Sequence, residues 1–329
     1  CRWCRDHVFI GENRVKKNAI AILSKGASLE RRGLMEPVFG EFQIIFPDGG
    51  MKPAEEKGEL LKYWKLKIDE KNPTDNDATF KPFRGYIPVY TQADVNNEST
   101  KAETSGVEGE TIFDAIRAGE PKTLNHIAAA ARTGLGHGKL CGVEALGVLK
   151  ADVDHLGLLM ACGLKKNMYS ISRLATLSRQ LDNFFAVYLP WFLETSDIYH
   201  DFYTVFAGGD DLLLIGPWNR TASLASSLSD QFNAYVCNDG IHFSAGISFH
   251  KAHTPVDVMA EAAEEALLRA KESGRNRITV FDETVSWEEV KVLADIENIF
   301  LKWLDEGYLG SAMFYRSEEH TSELQSPNT

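Results

Sequence analysis

No run of eighteen or more apolar residues occurs in the 329-residue chain, so no segment of it reads as a membrane-spanning helix. The opening, CRWCRDHVF, lacks the graded regions of a signal peptide. Cysteine is sparse: Cys1, Cys4, Cys141, Cys162 and Cys237 are five in number, odd, and scattered over 237 positions. That excludes a disulfide framework and agrees with a reducing cytoplasm. Positive charge is also short, 35 Lys+Arg against 47 Asp+Glu for a net charge of -12. Such acidity argues against a surface that grips phosphate backbones everywhere, while leaving room for a local basic patch. No internal repeat is visible. What remains is average globular composition, 44% hydrophobic and 25% charged, enough for a sizeable core and about two domains.

Both ends read as boundaries of something longer or foreign. Cys1-x-x-Cys4 is half of a structural zinc pattern, and Zn²⁺ would need two more ligands from an upstream portion. Arg316 to Ser326, RSEEHTSELQS, reads like a translated sequencing adapter, and residues 316–329 are set aside from fold reasoning. Residues 1 to about 35 carry eight Lys/Arg against three acids; a solvated face is the plain reading, contact with RNA or an acidic partner the sharper one. Strand-like runs at Glu41 to Phe46, Tyr63 to Ile68 and Tyr86 to Tyr90 suggest a small β-rich module over residues 1–110. Thr91 to Glu110 has little to bury and reads as a linker. A helical approach is expected over Ile112 to Arg132.

Over residues 111–284 strands and helices alternate clearly. Ala145 to Ala151 is an apolar run ending in Asp152-Val-Asp154, the pattern of a buried central strand. Ile171, Leu174, Leu181, Phe185, Tyr188 and Phe192 form a helical apolar stripe, in which Phe184, Phe185 and Tyr188 read as core rather than a base-stacking platform. Phe202 to Ala207 and Leu212 to Gly216 flank Gly208-Gly209 as a hairpin. A helix from Thr221 to Val236, a strand from Phe243 to Phe249, a helix opened by Thr254-Pro255-Val-Asp257 and a strand from Arg277 to Phe281 follow. The class is α+β: a ferredoxin-like palm, β-α-β-β-α-β with an α-β extension, preceded by the β-rich module with its half zinc motif. Residues 285–315 begin a further helical domain.

In that topology the first and third strands are adjacent and antiparallel. Asp152 and Asp154 end the first; Asp210 and Asp211 start the third. Carboxylates gathered at one edge repel unless protonated or neutralised by cations, and hard ions such as Mg²⁺ or Mn²⁺ suit oxygen ligands. On a regular strand adjacent Asp210 and Asp211 cannot share a face, so one lies in the turn. Asp154 competes between metal binding and capping the next helix. Each acidic pair alone is more simply a turn former; together, with Gly208 and Gly209 leaving space for a triphosphate, they read as a site. Lys271 and Arg275, flanking Gly274, could reach one anion, although cations at a helix end also complement its dipole. Arg173, Ser178 and Arg179 could face a nucleotide, or simply water.

LGVLKADVDHLG, SISRLATLSRQLDNFF, YTVFAGGDDLLLIGPW and SAGIS, in this order, closely resemble the second palm domain of the large subunit of type III-A (Csm-type) CRISPR effector complexes, over roughly Cys141 to Phe281. EALLRAKESGRNR is more distantly similar to GGDEF diguanylate cyclases and polymerase palms. The resemblance implies a cytoplasmic nucleotidyltransferase in antiviral defence, joining ATP into cyclic oligoadenylates when a crRNA-guided complex binds target RNA. It also implies other Csm-type subunits as partners and no membrane association. Carried over by motif, Asp210 and Asp211 are catalytic, Asp152 supplies the other metal carboxylate, and Ser178 and Lys271 are ATP contacts. The HD nuclease domain and first palm of the family have no counterpart in this sequence, and a synthase needs both palms. Two rivals stand beside this expectation: a diguanylate cyclase, disfavoured by Gly-Gly-Asp-Asp-Leu in place of Gly-Gly-Asp-Glu-Phe, and a non-catalytic scaffold of a ribonucleoprotein.

Overall fold

The computed structural model describes residues 1–24, 27, 33–48, 51–66, 79–80, 85–96, 116–135, 139–306 and 308. The adapter-like tail and most of the expected linker lie outside the described residues.

The first part pairs one helix with a small sheet. Helix α1 (Arg2–Lys16) precedes β1 (Ala19–Ser24), β2 (Phe42–Ile45), α2 (Lys52–Glu56), β3 (Leu60–Lys65) and β4 (Thr79–Phe80), and the sheet order is β2-β1-β3-β4. Ala19, Ala21 and Leu23 alternate inward along β1, as the period of a half-buried strand requires. Among the five Lys/Arg described in this stretch, Arg2 pairs with Glu36 at 2.9 Å, Lys16 with Glu120 at 3.2 Å and Lys17 with Asp48 at 2.5 Å. The charges are thus largely matched within the chain, which favours the plain reading of the basic stretch. The expected strand at Tyr86 to Tyr90 does not form; Val89 makes a single bridge to Pro121. The segment instead runs beside the palm, with the Thr204 N–H donating to the Tyr86 carbonyl at 2.8 Å and the Tyr86 hydroxyl donating to the His200 carbonyl at 2.9 Å. Helix α3 (Gln92–Asn96) occupies the start of the expected linker, and α4 (Leu124–Ala129) is the only helix described within Ile112 to Arg132. A two-stranded ribbon follows, β5 (Thr133–Leu135) and β6 (Lys139–Cys141).

The palm is a six-stranded sheet. In chain order it comprises β7 (Leu146–Val153), α5 (Leu156–Cys162), α6 (Ile171–Asn183), α7 (Leu189–Thr195), β8 (Tyr203–Gly208), β9 (Asp211–Pro217), α8 (Trp218–Val236), β10 (Phe243–His250), α9 (Val256–Glu272), β11 (Arg277–Val280), β12 (Glu283–Ser286) and α10 (Trp287–Asp305). The spatial order is β12-β11-β10-β7-β9-β8, antiparallel throughout except for the parallel β10/β11 pair. Strand β12 was not among the expected strands.

The sheet separates two cores. On one face Leu149, Ala151 and Val153 meet Leu181, Phe184, Phe185, Leu189, Leu224, Leu228 and Phe232. Between α6 and α7 a π-helical turn at Phe184–Tyr188 adds a residue to the turn, so that the consecutive rings of Phe184 and Phe185 are both buried. These aromatics are core, as read. On the other face Leu146, Val148, Leu213 and Ile215 pack against α9 and α4 through Met259, Ala263, Ile127 and Ala128. Helix α9 lies so close to β10 that a Cβ on Gly246 would stand 2.1 Å from the Leu267 amide nitrogen. Its expected hydroxyl cap is not made: Pro255 is the capping residue, with no side-chain bond.

Candidate active site at the hairpin edge

Burial along β7 changes character where the chemistry begins. Leu146 to Leu149 are all buried, whereas Lys150 and Asp152 are only partly covered. Both lie on the face carrying α9, which opens toward its C-terminal end. Asp211 on β9 is the direct register partner of Asp152, and Gly208 pairs with Asp211 across the hairpin. Directly opposed residues on adjacent strands have Cβ atoms about 4.5–5.5 Å apart. Two carboxylates from distant parts of the chain are therefore neighbours on one face.

Gly209 and Asp210 form the turn. Gly209 has φ +68°, while Asp210 is not among the residues with positive φ; left-handed backbone at the first turn position alone is the pattern of a type II′ hairpin, which demands glycine there. A Cβ at Gly209 would meet nothing within 4 Å, so the requirement is conformational and the space above the turn is open. The Val153 N–H donates to the Asp210 carbonyl at 2.9 Å, and the Gly209 N–H donates to Asp182 Oδ1 on α6 at 2.9 Å. Asp182 thus pins the turn from the opposite layer. The motif SISRLATLSRQLD contains it, four residues after Ser178, but only the fold shows its partner.

Charge at the edge is incompletely balanced. Lys150 Nζ lies 3.0 Å from Asp211 Oδ2, and Lys271, from the last turn of α9, ion-pairs with Asp152. Among the described residues Asp210 has no such partner. Burial pushes its carboxyl above the ordinary aspartate value, the charges of Asp152 and Asp211 push the same way, and its own backbone amide and Lys271 offset this only in part. Among the described residues, no three His, Cys, Asp or Glu side chains are grouped so as to hold a metal ion as they stand. Two of the three carboxylates are turned toward lysines.

Asp154 stands apart from the other three carboxylates. Expected among the metal carboxylates or as a helix cap, it makes no cap bond to α5 and is held by partners of its own. Its side chain is fully buried, and its oxygens accept from Ser244 Oγ at 2.8 and 2.9 Å and from the Asn276 N–H at 3.0 Å, with His242 Nδ1 at 2.8 Å. Helix α5 starts with His155 as its capping residue and no side-chain bond. Asp154 therefore ties the loop after α9 to β10, fixing the segment from which Lys271 and Arg275 project. Arg275 lies in that loop with φ +65° and is half-buried. Ser178 is exposed on α6, one helical turn before Asp182. Arg173 donates to the Met168 carbonyl at 2.8 Å. Cys1 caps α1 and its Sγ is 2.9 Å from that of Cys4. These two sulfurs form a pair without further described ligands.

Fold and site together define a palm domain: a mixed sheet with an antiparallel centre that presents three carboxylates around a glycine turn at one edge. Residues 145–279 match the family described as Cas10/Cmr2, second palm domain. A subtype III-A relative from Methanocaldococcus jannaschii, named as the single-strand-specific deoxyribonuclease Cas10/Csm1, is 34% identical over 172 residues, covering 49% of this chain and 21% of the relative. An apo Csm1-Csm4 cassette is similar in structure, with a TM-score of 0.60 at 23% identity over 88% of this chain and 37% of that one. A Csm1-Csm4 cassette in complex with one ATP gives 0.57 at 24% identity over 87% and 37%. The chain spans about a fifth of the length of the curated relative.

Proposed function

We propose that this palm is the nucleotide-joining part of a type III-A effector large subunit, and that it links ATP molecules into cyclic oligoadenylates when the crRNA-guided complex engages target RNA. The observation that carries the reading is the register pairing of Asp152 with Asp211 beside the Gly208-Gly209-Asp210 turn. The β10-β7-β9-β8 order within the sheet supports the ferredoxin-like description of the palm. ATP bound to a structurally similar Csm1-Csm4 cassette supports the substrate, and its Csm4 chain the kind of partner subunit.

The donor types suit Mg²⁺ or Mn²⁺, once the side chains turn from their lysines: carboxylates at the ends of two neighbouring strands and a third in the turn, whose carboxyl is pushed upward by burial and then by the charges of Asp152 and Asp211. Asp152, Asp210 and Asp211 would hold the metal. When bound, it supplies activation of a ribose hydroxyl and neutralisation of the triphosphate. The chain's own contribution is positioning and charge. Gly209 leaves the turn open for phosphate oxygens to approach the backbone, and Asp182 fixes that turn. Lys271 exchanges Asp152 for a phosphate oxygen, while Arg275 adds a second cation from a loop held by Asp154. No side chain need act as nucleophile, since the attacking oxygen belongs to one ATP and the leaving pyrophosphate to the other.

Labelled ATP and GTP supplied to the complete effector complex with target RNA test this reading. Conversion of ATP to cyclic oligoadenylate should fall at least about a hundredfold in Asp210→Ala plus Asp211→Ala, with assembly unchanged. Cyclic di-GMP formation with ATP inert, or undiminished ATP conversion in the double variant, would overturn it.

A further inference from the structure

Lys150 is a charged side chain that neither the metal nor the phosphate role employs. It sits mid-way along a central strand in an otherwise apolar run, two residues before Asp152 and on the same face. Its side chain is only 19% exposed, and its ammonium lies 3.0 Å from Asp211 Oδ2 and 3.7 Å from Glu264 Oε2 on α9. A largely buried ammonium is tolerated only with anionic partners, and these two carboxylates are its ion-pair partners among the described residues. Lys271 differs: it stands in the last turn of α9, before the Gly274 loop, and can move toward an incoming phosphate. Lys150 is anchored between strands on both sides, with Leu213 as its register partner on β9 and Gly246 on β10.

We infer that Lys150 is an internal counter-ion that competes with the divalent cation for Asp211, and that Glu264 receives it when the cation binds. This rests on the metal-dependent reading above. An ammonium and a metal ion cannot both bind the same carboxylate oxygen at close range without strong repulsion, so loading the site requires Lys150 to swing from Asp211 toward Glu264. The pair sets the cation concentration at which the palm becomes competent. Opposite effects follow for the two partners. Removing the competing charge eases loading, and removing the receiving carboxylate hinders it.

Manganese titrated into the protein without nucleotide, with the rise in thermal unfolding midpoint as readout, tests this. Lys150→Gln should lower the half-loading concentration about tenfold, and Glu264→Gln should raise it several-fold, on the order of effects seen for close charge pairs. Arg269→Gln removes the same unit charge from α9, but Arg269 pairs with Asp282 at 2.8 Å and its loss should shift half-loading by no more than about twofold. An unchanged half-loading concentration in Lys150→Gln, or a lowered one in Glu264→Gln, overturns the inference, and Glu264→Gln alone decides if Lys150→Gln does not fold. A wild-type protein that manganese does not stabilise at all would instead remove the metal reading itself, and this inference with it.

Discussion

Replacing Asp154 by alanine separates a structural carboxylate from a catalytic one. The side chain is fully buried, and its loss strands the Asn276 N–H, now 3.0 Å from Oδ2, and the Ser244 hydroxyl, now 2.8 Å from Oδ1. The fully buried Ser244 hydroxyl left without an acceptor costs about 1–3 kcal/mol, and the Asn276 N–H, on an exposed residue, costs less because water can replace the carboxylate. The relief of no longer desolvating a carboxylate offsets part of that sum. A net loss of about 2 kcal/mol follows, a sizeable fraction of the 5–15 kcal/mol that typical domains possess. Asn276 has φ +50° and Arg275 φ +65°, so freeing their anchor also releases a backbone held in an unfavourable region. Urea unfolding at neutral pH measures the change, with a constant m-value indicating that stability alone has moved. Ser244→Ala should cost less, about 1 kcal/mol. If Asp154→Ala unfolds within about 1 kcal/mol of wild type yet abolishes nucleotide conversion as completely as the Asp210 and Asp211 substitutions, Asp154 is a metal ligand and the assignment made from its hydrogen bonds is wrong.

Asp210→Asn should stabilise the protein at neutral pH in a chelating buffer. The folded state holds the Asp210 proton more tightly than the unfolded chain, so the unfolded state binds fewer protons above the ordinary aspartate value and stability falls as pH rises through that window. The variant lacks this dependence: the two proteins should be alike at acid pH and diverge above it, and a less stable variant at pH 7 would contradict the electrostatic account. Gly246→Ala should destabilise by more than about 3 kcal/mol, because its Cβ would stand 2.1 Å from the Leu267 amide nitrogen and 2.6 Å from the Ala263 carbonyl oxygen. Chemical denaturation that finds a cost below about 1 kcal/mol would mean that α9 can shift away from the sheet.

Much of the palm was legible because its signals are local. The apolar run at β7, the glycines between β8 and β9, and the placing of one of Asp210 and Asp211 in the turn all follow from periodicity and turn chemistry within short windows; that it is Asp210 came from the fold. What escaped was non-local. The partners of Asp154 lie 88, 90 and 122 residues away at His242, Ser244 and Asn276, so nothing near Asp154 distinguishes a tethering carboxylate from a ligand. Lys150 was hidden inside an apolar run, and Asp182 inside a helix face whose orientation depends on the hairpin it touches. Tyr86 to Tyr90 has strand-like composition, yet its backbone meets β8 mainly around Thr204. Helix α1 and β1 were read through their charge, which proved to be matched by Glu36, Glu120 and Asp48.

The most direct measurement is the anomalous scattering of manganese in crystals of the protein soaked with a non-hydrolysable ATP analogue. The account predicts a peak within about 2.2 Å of oxygens from both strands, Asp152 on one side and Asp210 or Asp211 on the other, beneath the triphosphate. A triphosphate bound at the turn with manganese absent from these carboxylates, or a peak coordinated from β7 alone, would contradict it.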